Sequence, residues 1–475
     1  MTAPRSAVLG VALAGSALWG GGAASAQGDR FEIGLRLRAF ERALAVVEDP
    51  QRRDQAFVAL EEAVQAFFGL DMKRVAASVE AASIALSGRR PGRAERFARS
   101  LQVIPRRRLI DAAGTEALTI SVRRLYEVDG LEGDPPDLTI AWRLHDAGDW
   151  TQRPVGDLPA ALEVSRAPVP AGDHEFCWRL CAGEDVLVER RMAFAAADDL
   201  RARLDRVLAA ARAAKKLAPR SIESLTLGSL ANLLRTTQRS NAYETELRGF
   251  ALLREAERLA AALAEPGGGR VYDRRRPGAF RLRVPVGDST VSCRLFAPEV
   301  DEGVRPVVVA LHGAGGSENL FFDGYGDGLC VDLAARRGWF VVSPRNGMGA
   351  LDCAALVAKL GERYPVDRDR VFVVGHSMGA MQAVRNVSAS PSSFRAVAPI
   401  AGGGRVRASE ALAEVPFFVA AGARDFGREG ARQLHRALQR AGAKAAWRLY
   451  PSVEHLAIVQ VALPDVFAFF DEHVR

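Results

Sequence analysis

The feature that most limits the fold of this chain is an alternation of short apolar runs with helical segments. It starts near residue 305 and continues to the C-terminus. PVVVALHG, WFVVSP, RVFVVGHS, AVAPIAG, PFFVAAG and WRLYP read as six strands. Helices are expected between them near Leu329 to Arg337, near Leu351 to Arg363, from Met378 and near Glu429 to Ala441, with a last one at the C-terminus. These strands are continuous apolar runs, which buried parallel strands need when helices cover both faces of the sheet. Just ahead of them, FRLRVPV and TVSCRLFAP flank Gly287-Asp288 and read as an antiparallel pair.

The chain before this region follows other rhythms. With 475 residues it exceeds what one hydrophobic core serves, so several domains are expected. From Asp29 to Leu101 apolar residues recur at helical spacing, as in Phe57, Leu60, Val64 and Phe67, and Asp71 is placed to cap a helix. From Val103 to Ala196 the period shifts to two in TISVRRLY, LTIAWRL, HEFCWRL and VLVERRMAF, which suggests a small β-sandwich. Helical spacing returns from Asp198 to Glu265, and ALAEPGGG ends it. The expected division is 27–102 helical, 103–197 sandwich-like, 198–270 helical and 271–475 α/β. The two helical stretches are expected to form one bundle around an inserted sandwich.

Residues 1–26 have the pattern of a secretory leader. Arg5 precedes an apolar stretch from Ala7 to Trp19, and small residues end in Ala24-Ser25-Ala26. The reading is export, periplasmic or extracellular, with cleavage after Ala26 and no membrane span. Five cysteines, Cys177, Cys181, Cys293, Cys330 and Cys353, are read as unpaired buried thiols. Cys177 and Cys181 would lie about 13 Å apart in one extended strand, too far to bridge. No His or Cys spacing suits a metal. The formal charge of +7 is spread out except at Arg106–Arg108 and Arg274–Arg276, and neither run has the aromatics of a nucleic-acid reader.

The chemistry centres on VFVVGHSMGA, residues 371–380, where Ser377 falls between a strand and a helix. Glycines at 375 and 379 relieve the crowding that a sharp strand-to-helix turn creates, and the turn lifts the serine hydroxyl above the sheet edge. Two antiparallel strands followed by six alternating ones is the α/β-hydrolase layout, which supplies serine, acid and histidine in that order. A serine hydroxyl needs a base. Of seven histidines only His455, in the loop before the last helix, is suitably placed after the serine. Asp425, in GARDFG after the preceding strand, would hold the imidazole tautomer, with Glu429 and Glu454 as weaker competitors. The glycine-rich LHGAGGSEN brings main-chain amides to the site. Ala314 and Met378 are the expected oxyanion donors.

HGAGG, PVDRDRVFVVGHSMGA, GARD and VEH together resemble the α/β-hydrolase superfamily over residues 278–475. Within it they are similar to secreted esterases and depolymerases of the feruloyl-esterase and polyhydroxybutyrate-depolymerase kind. Prolyl-oligopeptidase-type catalytic domains are cousins. The resemblance implies a serine hydrolase that forms an acyl-enzyme without metal or cofactor. His376 before the serine is a lipase-like choice and leaves the subfamily open. Phe321, Phe322 and Tyr325 either line a substrate pocket or pack, and Arg345 and Arg424 read as surface charge, with contact to an acidic substrate group as the alternative. The expected substrate is a carboxylic ester, carbohydrate- or polymer-linked esters included. A peptidase and a polymer- or protein-binding module with a vestigial hydrolase domain are the alternatives.

Overall fold

The structure, a computed structural model, describes residues 24–475 except 131–135, 146–147, 238–242, 267–268, 348, 350 and 475. Most of the expected leader lies outside the described residues. Four helices come first: α1 (Ala24–Val46), α2 (Pro50–Phe68), α3 (Met72–Ser87) and α4 (Arg93–Arg99). The Asp49 carboxylate starts α2 by accepting from the amides of Gln51 and Arg52, with Pro50 at the first helical position. Asp71 caps α3 through the Arg74 amide, as expected, and Gly88 ends it at φ 66°.

Two sheets follow. β1 (Leu101–Pro105), β3 (Leu118–Arg124) and β6 (Ala160–Val164) form one; β2 (Leu109–Asp111), β4 (Thr139–Arg143), β5 (Thr151–Pro154), β7 (Gly172–Ala182) and β8 (Asp185–Ala197) form the other. Ile120 and Val122 of the first sheet share a core with Trp142, Phe176, Trp178 and Met192 of the second. The four alternating segments of the sequence correspond to β3, β4, β7 and β8. The other four strands are short, and β5 is exposed throughout, so no apolar pattern marks it. All five cysteines are free, and Cys177 and Cys181 both lie in β7. Helices α5 (Leu200–Leu217), α6 (Ile222–Thr237) and α7 (Gly249–Ala264) come next.

The C-terminal sheet has eight strands: β9 (Gly278–Val286), β10 (Ser289–Ala297), β11 (Arg305–Leu311), β12 (Phe340–Pro344), β13 (Val366–His376), β14 (Ala396–Ile400), β15 (Phe417–Gly422) and β16 (Ala445–Tyr450). Their order is β16-β15-β14-β13-β11-β12-β10-β9. β9 and β10 are antiparallel, β10 is antiparallel to β12, and the remaining pairings are parallel. This is the strand order of the α/β-hydrolase layout. The helices are α8 (Leu320–Asp323), α9 (Leu329–Ala335), α10 (Cys353–Leu360), α11 (Met378–Ala389), α12 (Glu410–Ala413), α13 (Arg428–Arg440) and α14 (Ile458–Glu472).

Alternate residues of each strand divide the sheet into two cores. Val308, Ala310, Phe372 and Val374 face one side, where Phe40, Phe57, Leu60 and Val79 of α1–α3 join Val466 and Phe470 of α14. Val307, Val309, Val371 and Val373 face the other, where Val207, Leu230 and Leu253 of α5–α7 join α10, α11 and α13. The two helical stretches therefore do not form the expected single bundle. Each has its own face of the sheet to cover, and burial against that face outweighs helix-on-helix packing between them.

Candidate active site

Ser377 stands between β13 and α11 with φ 55° and ψ −112°. A side chain at positive φ outside the ordinary wells costs on the order of 1–3 kcal/mol, and the surroundings enforce it here. A Cβ at Gly379 would lie 1.9 Å from the Leu311 carbonyl oxygen, and one at Gly375 would lie 2.3 Å from that of Gly379. Only glycine lets β11, the turn and the helix approach so closely.

The acid and the imidazole meet as the strand order implied. Asp425 follows β15 and His455 follows β16, and both are buried. His455 Nδ1 and Asp425 Oδ1 are 2.8 Å apart, and the same oxygen accepts from the Gly427 amide at 2.6 Å. His455 donates through Nδ1, which leaves Nε2 for the serine side. No Ser377–His455 hydrogen bond is closed in this structure; such bonds are often long until substrate binds. The competitors are occupied elsewhere. Glu429 is exposed and accepts from Gln433, while Glu454 accepts the amides of Leu456 and Ala457 just ahead of α14. Burial raises Glu454 to about 8 against the opposing pull of those two amides.

The glycine-rich loop lies against the turn. A Cβ at Gly313 would be 3.5 Å from that of Ser377. The His312 amide donates to Asn346 Oδ1, Asn346 Nδ2 donates back to the His312 carbonyl, and the Asn346 amide meets His312 Nε2 at 3.2 Å. Those bonds fix the start of the loop. The amides of Ala314 and Met378 donate to no acceptor among the described residues.

Three residues proposed for a substrate pocket are placed otherwise. Phe321 and Phe322 are buried in the core beneath α9, and Tyr325 is only 5% exposed. Their burial is that of packing residues, one of the two readings the sequence allowed. Tyr325 has a different part to play. Its hydroxyl accepts from the Gly313 amide at 3.4 Å and meets His376 Nδ1 at 2.9 Å, while His376 Nε2 meets the His455 carbonyl oxygen at 2.9 Å. Burial, then the neighbouring His455, keep His376 well below the ordinary imidazole range, so it is neutral. A neutral ring with Nε2–H satisfies both bonds. The chain of four groups ties the glycine-rich loop to the histidine loop. Sequence reading missed it because His376 looked only like a neighbour of the serine.

Arg345 and Arg424 were candidates for an acidic substrate. Arg345 pairs with Glu318 at 2.7 Å and stacks over Tyr243, and Arg424 pairs with Asp54 of α2 at 3.1 Å. Both charges are answered within the protein. Equally invisible in the sequence is a clamp on the glycine-rich loop. Arg30 of α1 donates to the Gly315 carbonyl at 2.5 Å and pairs with Glu244, whose other oxygen accepts from Ser317 Oγ at 2.6 Å. Among the described residues no group of His, Cys, Asp and Glu is arranged to hold a metal ion, and no helix is long and apolar enough to cross a membrane.

Sheet order, a strained serine turn and a buried Asp–His pair together define an α/β-hydrolase-type region joined to helices and a sandwich. No family model matches the chain. It is 30% identical over 142 residues to the "Putative esterase NocK" of Nocardia uniformis subsp. tsuyamanensis, covering 27% of this chain and 38% of that protein. The chain thus spans well under half the length of that relative. Among solved structures it is similar to a ferulic acid esterase, with 17% identity, a TM-score of 0.37, and coverage of 42% of this chain and 100% of that one. An S-formylglutathione hydrolase from Agrobacterium tumefaciens matches with 17% identity and a TM-score of 0.34, over 42% of this chain and 95% of its own. EstE1, a thermophilic carboxylesterase from a metagenomic library, matches with 15% identity and a TM-score of 0.34, over 42% and 89%.

Proposed function

We propose that the protein is an exported serine hydrolase that cleaves carboxylic esters. Ser377 Oγ attacks the ester carbonyl carbon while His455 Nε2 takes its proton. The tetrahedral oxyanion is held by the amides of Ala314 and Met378. His455 then protonates the leaving alcohol as the C–O bond breaks, leaving an acyl group on Ser377. Water, deprotonated by the same imidazole, attacks that acyl group and releases the carboxylic acid, restoring the serine. Asp425 keeps the Nδ1–H tautomer and stabilises the imidazolium without taking the proton.

The observation that carries this reading is the buried His455–Asp425 bond beside a serine on a strained turn at the head of α11. Export rests on residues 1–26 alone. The test is hydrolysis of p-nitrophenyl acetate by wild type and Ser377→Ala. Activity should fall at least about 10³-fold with the melting curve unchanged. Equal rates in the two proteins would end the catalytic assignment, and faster cleavage of prolyl amides than of esters would move it to the peptidases.

A further inference from the structure

An aromatic arc runs along one side of the site, and two of its three phenylalanines come from α2. Phe67, at the end of α2, rests on the glycine-rich loop: a Cβ at Gly315, where φ is 77°, would lie 2.4 Å from Phe67 Cζ. Its ring centroid is 5.5 Å from that of Phe68, edge to face. Phe68 is 5.1 Å from Phe426, again edge to face, and Phe426 is 4.2 Å from His455. The arc therefore spans from the loop beside Ser377 to the imidazole. Phe426 is 53% exposed, although it follows a buried aspartate and packs on a buried histidine. An apolar ring left half open there leaves free contact area at the mouth of the site.

We infer that Phe68 and Phe426, backed by Phe67, form a subsite for an apolar group on the alcohol portion of the ester, an aryl or alkyl substituent. The side follows from proton transfer. His455 must reach the leaving oxygen to protonate it, so the leaving alcohol lies on the imidazole's side of the reacting carbon, where Phe426 packs at a tilt against the ring. The apolar class follows from the rings themselves, since Arg424 and Arg30, two cations near the arc, are already paired with Asp54 and Glu244. Aromatic faces are left to select the substrate, and they favour apolar surface. These are specificity-determining residues, and α2, outside the hydrolase sheet, supplies two of the three rings.

The subsite rests on the ester-hydrolase reading, and the test keeps the two apart. kcat/KM is measured for benzyl acetate, its isomer methyl phenylacetate, and methyl acetate, with wild type, Phe426→Ala, Phe68→Ala and Phe68→Leu. The preference for benzyl over methyl acetate should fall about tenfold in the alanine variants, and less in Phe68→Leu, which keeps α2 packed. The preference for methyl phenylacetate over methyl acetate should hold. An unchanged benzyl preference overturns the proposal, as does a loss confined to methyl phenylacetate, which would place the apolar group on the acyl side. A second arm needs no turnover. In Ser377→Ala protein, benzyl acetate binding followed by ligand-observed NMR should weaken about tenfold on adding Phe68→Ala. Undiminished binding overturns the subsite. A wild type that hydrolyses none of the three esters sinks the ester reading instead, and the binding arm still decides the subsite.

Discussion

The C-terminal sheet and the N-terminal part approach the same site by different means. Residues 278–475 build it from the main chain: a serine turn, loop amides, and an acid and a histidine each at the end of a parallel strand. Residues 24–270 reach it through side chains, with Arg30 and Glu244 on the glycine-rich loop, Glu41 on the amides of Tyr325 and Gly326, Asp54 on Arg424, and Phe67 and Phe68 on the arc. The first region carries Ser377, Asp425 and His455, and the second contacts the loops around them. On the proposed reading, the site is complete only when both parts are folded.

The comparison can be broken most forcefully at the buried charge cluster that joins α1, α3 and α4 to β8. Glu80 bonds Arg36, Arg99 and Arg190 at 2.6 to 2.7 Å. Burial alone would raise its pKa, but Arg190, Arg36 and Arg99 together bring it down to about 2. Glu80→Gln leaves three cations without their shared carboxylate and should cost about 3–5 kcal/mol in urea unfolding. Because the folded pKa is depressed, the stabilisation is present above the unfolded value near 4.5. It is lost as pH falls from there towards 2. A loss below about 1 kcal/mol would mean that the N-terminal part does not unfold together with the sheet.

A sharper cut tests whether the N-terminal part matters to chemistry as well as to stability. Arg30→Ala frees the Gly315 carbonyl and loosens the peptides beside Ala314. We expect kcat to fall about tenfold with KM within about twofold, and Arg30→Lys to recover part of the loss. A variant with wild-type kcat would confine Arg30 to packing. A third prediction lies in the sheet region. Glu454 has its pKa raised to about 8, so the folded protein holds a proton that the unfolded chain releases above about 4.5. Stability should therefore decline as pH rises from about 4.5 to 8, and Glu454→Gln should flatten that slope in melting curves. An equal slope in the variant would assign the decline to other groups, Glu41, raised by burial to about 7, first among them.

How much could be read in advance divides along the same line. The eight strands, the strand-to-helix turn at Ser377 and the meeting of the loops that carry Asp425 and His455 were legible because strand periodicity and glycine spacing are local, and the succession of strands limits which loops converge. The roles of Ser377, Asp425, His455, Ala314 and Met378 belong to the proposed function. Phe321 and Phe322 could not be assigned from sequence because an apolar residue after a glycine-rich loop looks the same whether it faces a cleft or the core. The Arg30–Gly315 contact joins residues 285 positions apart, and that of Arg424 with Asp54 joins residues 370 apart. Neither leaves a pattern, since a single arginine on a helix reads as solvated charge. The aromatic arc was hidden for the same reason: Phe67 belonged to a helical stripe, and only the tertiary fold shows that the stripe's end lies over a loop.

The packing of α1–α3 against α14 has a consequence for biosynthesis. The Gln460 side chain donates to the Glu41 carbonyl, a contact between near-opposite ends of the chain, and the apolar stripe of α2 and α3 covers strands made long afterwards. Helices α1–α3 are made well before α14 and cannot settle until it exists, so their greasy side stays uncovered while the intervening chain is synthesised. Such delayed closure leaves a nascent chain open to wrong partners, and it makes α14 the element that locks α1–α3 home.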